Sequence, residues 1–294
     1  MIISENMVIR HEARRHGINA FAPYWGIDNF FLRQFFKVFS RIRFLNKIFF
    51  NRAITRCKDS EIIIFDSEIS NKFLRWIVEI FPDKKLIFWY WNPIRTTISL
   101  DLIPKEFTVW TYSQKEADEN KIIFHEQFFI GDVVENIEDE GYVFFVGKNK
   151  GRYENLKQYE NALRGAGIQT KFVIVSDARK LIKKDKALLN KPLKYKDVQE
   201  LTSRCHVVFD YCLNPADGLS LRPLEAVKYN KLLITNNKNI LNASFYDSNK
   251  ILLFDEKNVN DMISFCKKQV AVYYENKESY SFIRWYSDLC SRSV

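Results

Sequence analysis

No uncharged apolar run of about 18 residues occurs in the 294-residue chain, so the sequence predicts no membrane-spanning helix. The opening MIISENMVIR has no apolar segment long enough for a secretory leader. Cysteines number five (Cys57, Cys205, Cys212, Cys266 and Cys290), an odd count without a CxxC pair. They read as reduced structural thiols in a cytoplasmic protein. The four histidines (His11, His16, His125 and His206) form no HxxxH pair, so no metal site is expected. Low-complexity tracts are absent, and so is any repeat of roughly 20 to 50 residues. Between Asp28 and Asp59 there is no acidic residue at all.

What is present points to a folded protein. Hydrophobic residues make up 47 % of the chain, and the length suits two domains of roughly 120 to 150 residues each. Aromatics reach 15 %, with 25 Phe, enough to supply an interface or a binding cleft as well as cores. The formal net charge is +9, and its placement is uneven: residues 1 to 58 hold eleven Lys and Arg against three acids.

The second half has the clearer pattern. GYVFFVGKNKGR (141–152) is an apolar run followed by a Gly-Lys loop, and YENLKQYENALRGAG continues with helical spacing to a glycine. IQTKFVIVSD (168–177) is a strand, which completes a unit of βαβ size. KYKDVQELTSRC follows as a helix, HVVFDYCL as a strand, LSLRPLEAVKYN as a helix, and KLLITNN and KILLFD as strands. In the first half, EIIIFDSE (61–68), KLIFWYWNP (85–93), FTVWTYS and KIIFHEQFF (121–129) are expected strands. ISNKFLRWIVEIFP is an expected helix ended by Pro82, and SQKEADEN a helix start with Ser113 as cap. Strands alternating with helices imply parallel sheets covered on both faces. The expected architecture is α/β: two Rossmann-like domains facing a cleft, with ligands at the carboxyl ends of the strands. The acidic GDVVENIEDEG (131–141) serves as the linker. Expected boundaries are 1–135, 136–275, and a closing helix in 276–294 that packs back on the first domain.

Several residues of the second half converge on one kind of ligand. In VGKNKGR, Gly147 and Gly151 allow close backbone approach, while Lys148, Lys150 and Arg152 bring cations. The following helix presents free N–H groups, so the loop suits a phosphate or diphosphate. In DGLSLRPLEAVKYN, Gly218 allows a sharp turn into a helix beginning near Leu219. Glu225 can accept two hydroxyl donors, as from a ribose diol. Arg222 lies three residues before it on the same helical face. The competing reading of that pair is a solvated surface ion pair worth a few tenths of a kcal/mol.

The stretch DGLSLRPLEAVKYNKLLITNN resembles the donor-binding motif of GT-B glycosyltransferases. In the large retaining family of that fold, two acids stand seven residues apart within E-G-F-G-x-x-x-x-E-A, before a short G-x-P-V-I strand. Here the acids are Asp217 and Glu225, followed by Ala226 and the strand Leu232-Leu233-Ile234. The first acid is Asp rather than Glu, Ser220 stands at a glycine position, and Asn230-Lys231 replaces the usual glycine turn. The match is closer to small bacterial transferases of surface-polysaccharide and lipopolysaccharide assembly, which carry G-L-(S/T)-L-R-x-x-E-A and an upstream (V/I)-G-x-x-K-G-R loop. The resemblance covers residues 140 to 240. It implies that Glu225 binds the donor's ribose, and that Asp217, Gly218 and Leu219 face the donor sugar and diphosphate. It further implies that Lys150 and Arg152 neutralise the leaving diphosphate without a metal or cofactor, and that the helix at KYKDVQEL helps enclose the nucleobase, with Tyr195 or its neighbours stacking on it.

In residues 30 to 50, Phe31, Phe35, Val38, Ile42, Leu45 and Phe49 share one helical stripe, with Arg33, Lys37, Arg41, Arg43 and Lys47 opposite. Phe36 and Phe44 fall among the cations. This composition suits either an ordinary helix with a basic face or docking on an anionic membrane, where a lipid-linked acceptor would lie. An inverting transfer needs a base. Asp66 at the end of EIIIFD is the first choice, with Glu68 and Asp28 as others; Asp66 as a helix cap competes, and a retaining transfer needs no base.

The sequence thus predicts a cytoplasmic glycosyltransferase, peripheral on the inner membrane. It would take a nucleotide-sugar donor and a glycan or lipid-linked glycan acceptor such as lipopolysaccharide or capsule. Nucleic acid is not expected as a partner, because no nucleic-acid module pattern occurs. The rivals are a non-catalytic nucleotide-sugar-binding protein of the same fold, a basic nucleic-acid-binding protein, and an epimerase of the same fold.

Overall fold

A computed structural model of the chain describes residues 1–25, 49–132, 138–176, 190–214, 218–255 and 258–291. It divides into two units, one made of Met1–Glu126 with Phe282–Val294 and the other of Gln127–Ser281. The acidic stretch 131–141 therefore falls within the second unit.

The first unit runs β1 (Ile2–Ile3), α1 (Met7–Arg15), β2 (Ala20–Phe21), β3 (Glu61–Phe65), α2 (Asn71–Ile80), β4 (Lys85–Tyr90), β5 (Phe107–Thr111), α3 (Gln114–Asn120) and β6 (Ile123–Phe124). All its strand pairs are parallel, in the order β2-β1-β3-β4-β5-β6. Parallel strands need a crossover on a sheet face. The helix α2 supplies one: Ser70 caps it by accepting from the Phe73 amide, and Phe73, Leu74 and Ile77 pack against Ile62, Ile64, Leu86 and Phe88. Side chains alternate along a strand, so Phe65 and Trp89 face the other way. There they meet Trp285, at ring distances of 5.5 and 5.2 Å. Trp285 belongs to the chain's last helix, Phe282–Ser291.

One sequence expectation changes in this unit. Of residues 121–129 only Ile123–Phe124 joins the sheet, and Phe129 makes an isolated bridge to Ser281. The neighbouring β5 ends at Thr111, whose carbonyl takes the His125 amide at 3.0 Å, so β5 offers nothing to the residues beyond. Ser113 caps α3 as expected. The side chain of Glu116 accepts from the Ile94 amide (2.9 Å) and the Thr111 hydroxyl (3.1 Å).

The second unit runs β7 (Val143–Lys148), α4 (Tyr153–Gly165), β8 (Thr170–Val175), α5 (Tyr195–Arg204), β9 (Val207–Asp210), α6 (Leu221–Lys228), β10 (Leu232–Thr235), β11 (Ile251–Leu253) and α7 (Val259–Cys266); the closing helix Phe282–Ser291 is then α8. The sheet is parallel, in the order β11-β10-β9-β7-β8. On one face Val143 and Phe145 pack with Leu156 and Tyr159 of α4 and Phe265 of α7. On the other, Phe144 packs with Val198 of α5 and Leu224 and Val227 of α6.

Both sheets share one topological property. From the first strand of each, the chain goes to one neighbour and then returns to the other side. The strand order thus reverses between β1 and β3 in the first unit, and between β7 and β9 in the second. Crossovers leave such a switch point uncovered at the carboxyl ends of the strands, where open α/β sheets bind ligands. Among the described residues no helix is long and apolar enough to cross a membrane.

Candidate functional site at the second switch point

The loop after β7 is shaped by one arginine. Arg152 donates from Nε to the Lys148 carbonyl (3.2 Å) and from Nη1 to the Tyr211 carbonyl, and its guanidinium carbon lies 5.1 Å from the centre of the Phe145 ring. It therefore joins the end of β7 to the chain just past β9, across the switch point. This explains Gly147: a Cβ there would lie 2.6 Å from Arg152 Nη2. Lys150 and Gly151 then take left-handed backbone, with φ of 47° and 84°, and turn the chain into α4. That helix has no side chain capping its first turn, so its leading amides are available to an anion. Lys148 and Lys150 are exposed beside it.

The other half of the site comes from β9, β10 and α6. Asp210 ends β9 and is 5 % exposed. Its Oδ1 accepts from Ser220 Oγ at 3.2 Å and its Oδ2 from Thr235 Oγ1 at 2.9 Å. Burial pushes its pKa up; the two hydroxyls and the charges of Arg222 and Arg152 oppose that shift. Asn236 clamps the next loop, accepting from the Cys212 amide (2.6 Å) and donating to its carbonyl (2.8 Å). Ser220 caps α6 by accepting from the Arg222 amide. Half-buried Gly218 and Leu219 lead into that cap.

Glu225 is 1 % exposed. It is paired with Arg222 Nη1 and accepts from the Tyr195 hydroxyl at 3.2 Å. The Arg222–Glu225 pair is therefore not a solvated surface pair, because its acidic member is buried. Tyr195, the first residue of α5, turns its hydroxyl to Glu225.

The structure thus brings Gly147, Lys148, Lys150 and Arg152 to one side of the switch point and Tyr195, Gly218, Leu219, Arg222 and Glu225 to the other. Asp217 lies outside the described residues, as does the basic stretch from residue 26 to 48. Asp210, Asn236 and Thr235 were not picked out from the sequence. The available signal was the acid closing the apolar run HVVFD, the same cue that singles out Asp66 in EIIIFD.

Asp66 sits at the switch point of the first sheet. It is 1 % exposed and accepts from the amides of Trp91 (3.2 Å) and Asn92 (3.1 Å) and from Asn92 Nδ2 (3.2 Å). It braces the turn after β4; the cap of α2 is Ser70. Burial outweighs these hydrogen bonds and raises its pKa to about 6. Since the folded value lies above the unfolded one, the native state holds the extra proton between about pH 4 and 6. The contribution of Asp66 to stability is present below that window and is lost as pH rises through it. Urea midpoints measured from pH 4 to 7 should show the wild type losing on the order of 2 kcal/mol relative to Asp66→Asn. A gain with rising pH would contradict the burial argument.

Among the described residues no group of three or more His, Cys, Asp or Glu could hold a metal ion. No protein-family model matches the chain, and no curated protein does. Among solved structures, the chain is similar to the apo form of the lipopolysaccharide outer core galactosyltransferase WaaB. The TM-score is 0.47 with 12 % identity, over 95 % of this chain and 85 % of that one.

Proposed function

We propose that the chain is a GT-B type glycosyltransferase that moves a sugar from a nucleotide-sugar donor to a glycan or lipid-linked glycan acceptor of a bacterial surface polysaccharide. The observation that carries this reading is the gathering at the β7/β9 switch point. A glycine- and lysine-bearing loop, an uncapped helix start and a buried carboxylate with two hydrogen-bonding partners meet there. A nucleoside diphosphate presents complementary chemistry, with anionic phosphates for the first two and a ribose diol for the third.

In the reaction, the bond from the anomeric carbon to the diphosphate oxygen breaks and negative charge grows on the leaving group. Lys148, Lys150 and the first amides of α4 meet that charge, with Arg152 holding the loop in place. The donor's diol takes the place of Arg222 on Glu225, which frees the guanidinium for a phosphate. Asp217 faces the donor sugar. The acceptor hydroxyl oxygen bonds to the anomeric carbon, and its proton passes to the departing diphosphate, which carries the charge released by the broken bond. Asp66 has the proton affinity of a base, but its oxygens are committed to the turn at residues 91–92, and we assign it to holding that turn. For the acceptor we assign the basic, aromatic stretch 30–50 to an anionic bilayer surface. Trp25, 62 % exposed, stands at the entry to that stretch.

The test is a melting panel with UDP, GDP, CMP, ADP and dTDP, combined with mass-spectrometric mapping of thiol alkylation. A nucleotide at about 100 times its dissociation constant adds roughly 2.7 kcal/mol of stability. Half-buried Cys212, at the rim of the site, should be alkylated more slowly when that nucleotide is bound. A panel without a shift, together with salt-sensitive binding of nucleic acid, would replace this reading by its basic-protein rival.

A further inference from the structure

The side chain at the end of β9 hydrogen-bonds to none of the groups assigned to the donor. Asp210 is buried at the end of β9, and its two oxygens are divided between hydroxyls from two different elements, Ser220 Oγ (3.2 Å) and Thr235 Oγ1 (2.9 Å). A hydroxyl has one hydrogen, and Asp210 in the ionised form, which the two hydroxyls and the charges of Arg222 and Arg152 favour, can only accept. Both hydroxyls must therefore point that hydrogen at Asp210, which turns their lone pairs outward. Each lone pair then receives a backbone amide, Arg222 N on Ser220 (3.3 Å) and Asn237 N on Thr235 (3.1 Å). Asn237, fixed in this way, donates its Nδ2 hydrogen to the Gly218 carbonyl at 3.3 Å. Two relays thus leave one buried carboxylate. One ends on the second residue of α6, whose side chain pairs with Glu225. The other ends on the glycine that leads into that helix.

Resting on the donor reading of this site, we propose that Asp210 is its positioning residue. By dictating the hydrogen direction of Ser220 and Thr235, it holds the Gly218 turn and the start of α6 in the geometry that binds the nucleoside diphosphate. It does so without contacting the donor. Charge and not shape is what the role requires. An asparagine of the same size would offer one acceptor and one donor, so the hydroxyl facing its amide would have to turn its hydrogen away and accept with both lone pairs. It would lose its charge-assisted bond to position 210, and the backbone amide it holds would be shared with a second donor, which loosens one relay while the core volume is kept.

The test compares wild type, Asp210→Asn, Ser220→Ala and the double variant in two measurements. The first, without ligand, is amide–water exchange at Arg222 and Asn237 by NMR. Asp210→Asn should speed exchange at one or both amides by about tenfold, and Ser220→Ala, which lies at the surface and spares the core, at Arg222 alone. The second is the dissociation constant for whichever of UDP, GDP, CMP, ADP or dTDP stabilises the wild type. Asp210→Asn should raise it roughly tenfold to a hundredfold, and Ser220→Ala should cost less in the Asp210→Asn background than alone, because the relay is already impaired. A merely structural role would lower the melting temperature but leave these two losses additive. Unchanged exchange at both amides in Asp210→Asn, or unchanged affinity, overturns the proposal. If the wild type binds none of the five nucleotides, the donor reading is what fails, and the exchange rates alone decide whether Asp210 orders this turn.

Discussion

Glu225→Ala is expected to weaken binding of the nucleoside diphosphate about a hundredfold. The proposed contact is a carboxylate accepting two hydroxyl hydrogens, and hydrogen bonds to a charged group contribute roughly 1.5 to 3 kcal/mol each when made. The full sum is not expected, because in the free protein Glu225 already holds Arg222 and the Tyr195 hydroxyl, and binding exchanges one set of partners for another. The same substitution should cost about 2 kcal/mol of stability. Removing one member of a buried pair leaves the other without its counter-charge, but the Arg222 side chain keeps 21 % of its surface in solvent and can relax outward. Glu225→Gln separates the two effects, since it retains an acceptor and the packing while losing the charge. Isothermal titration should place it between wild type and Glu225→Ala. Wild-type affinity in Glu225→Ala, at a temperature where the variant is folded, would remove Glu225 from the site.

Trp285→Ala is expected to give the largest loss of stability, about 3 to 5 kcal/mol. Trp285 has no exposed surface and packs between Phe65, Trp89 and Phe282 at ring distances of 5.2 to 5.6 Å. Truncating a buried tryptophan loses both the transfer free energy and the dispersion contacts around the resulting cavity. All four rings belong to the first unit. In a urea titration followed by probes placed in each unit, the transition of the first unit should move to lower denaturant while that of the second keeps its midpoint. An unchanged first transition would mean that α8 contributes little to that core.

Most of the element order was legible in the sequence, because buried parallel strands are short apolar runs that stop at glycine, proline or polar residues. Val143–Lys148, Val207–Asp210 and Leu232–Thr235 follow that pattern. The strand expected over 121–129 was overextended. A run of the right composition pairs only as far as its neighbour extends, and β5 stops at Thr111. In the site, residue types were easier to read than roles. Arg152 reads as a cation for a diphosphate, but it is bonded to the carbonyls of Lys148 and Tyr211, and backbone acceptors leave no mark on a sequence. Nor does the sequence show the hydroxyl partner of Tyr195, which lies 30 positions away. Asp210 was missed for a related reason. Its importance comes from Ser220 and Thr235, which only the fold brings to it.

The return of α8 to the first sheet has a consequence for how the protein is made. The second unit is one continuous segment and has all its parts as soon as residues 127–281 have left the ribosome. The first unit does not. Its sheet from β1 to β6 is complete early, but the face formed by Phe65 and Trp89 stays uncovered until Trp285 is synthesised. At bacterial or eukaryotic elongation rates of roughly 5 to 20 residues per second, that delay is on the order of ten seconds. During it an apolar aromatic surface on a nascent chain is open to solvent and to neighbouring chains. The part of the protein that is translated first is therefore the last to finish folding, and the part most dependent on chaperone protection during synthesis.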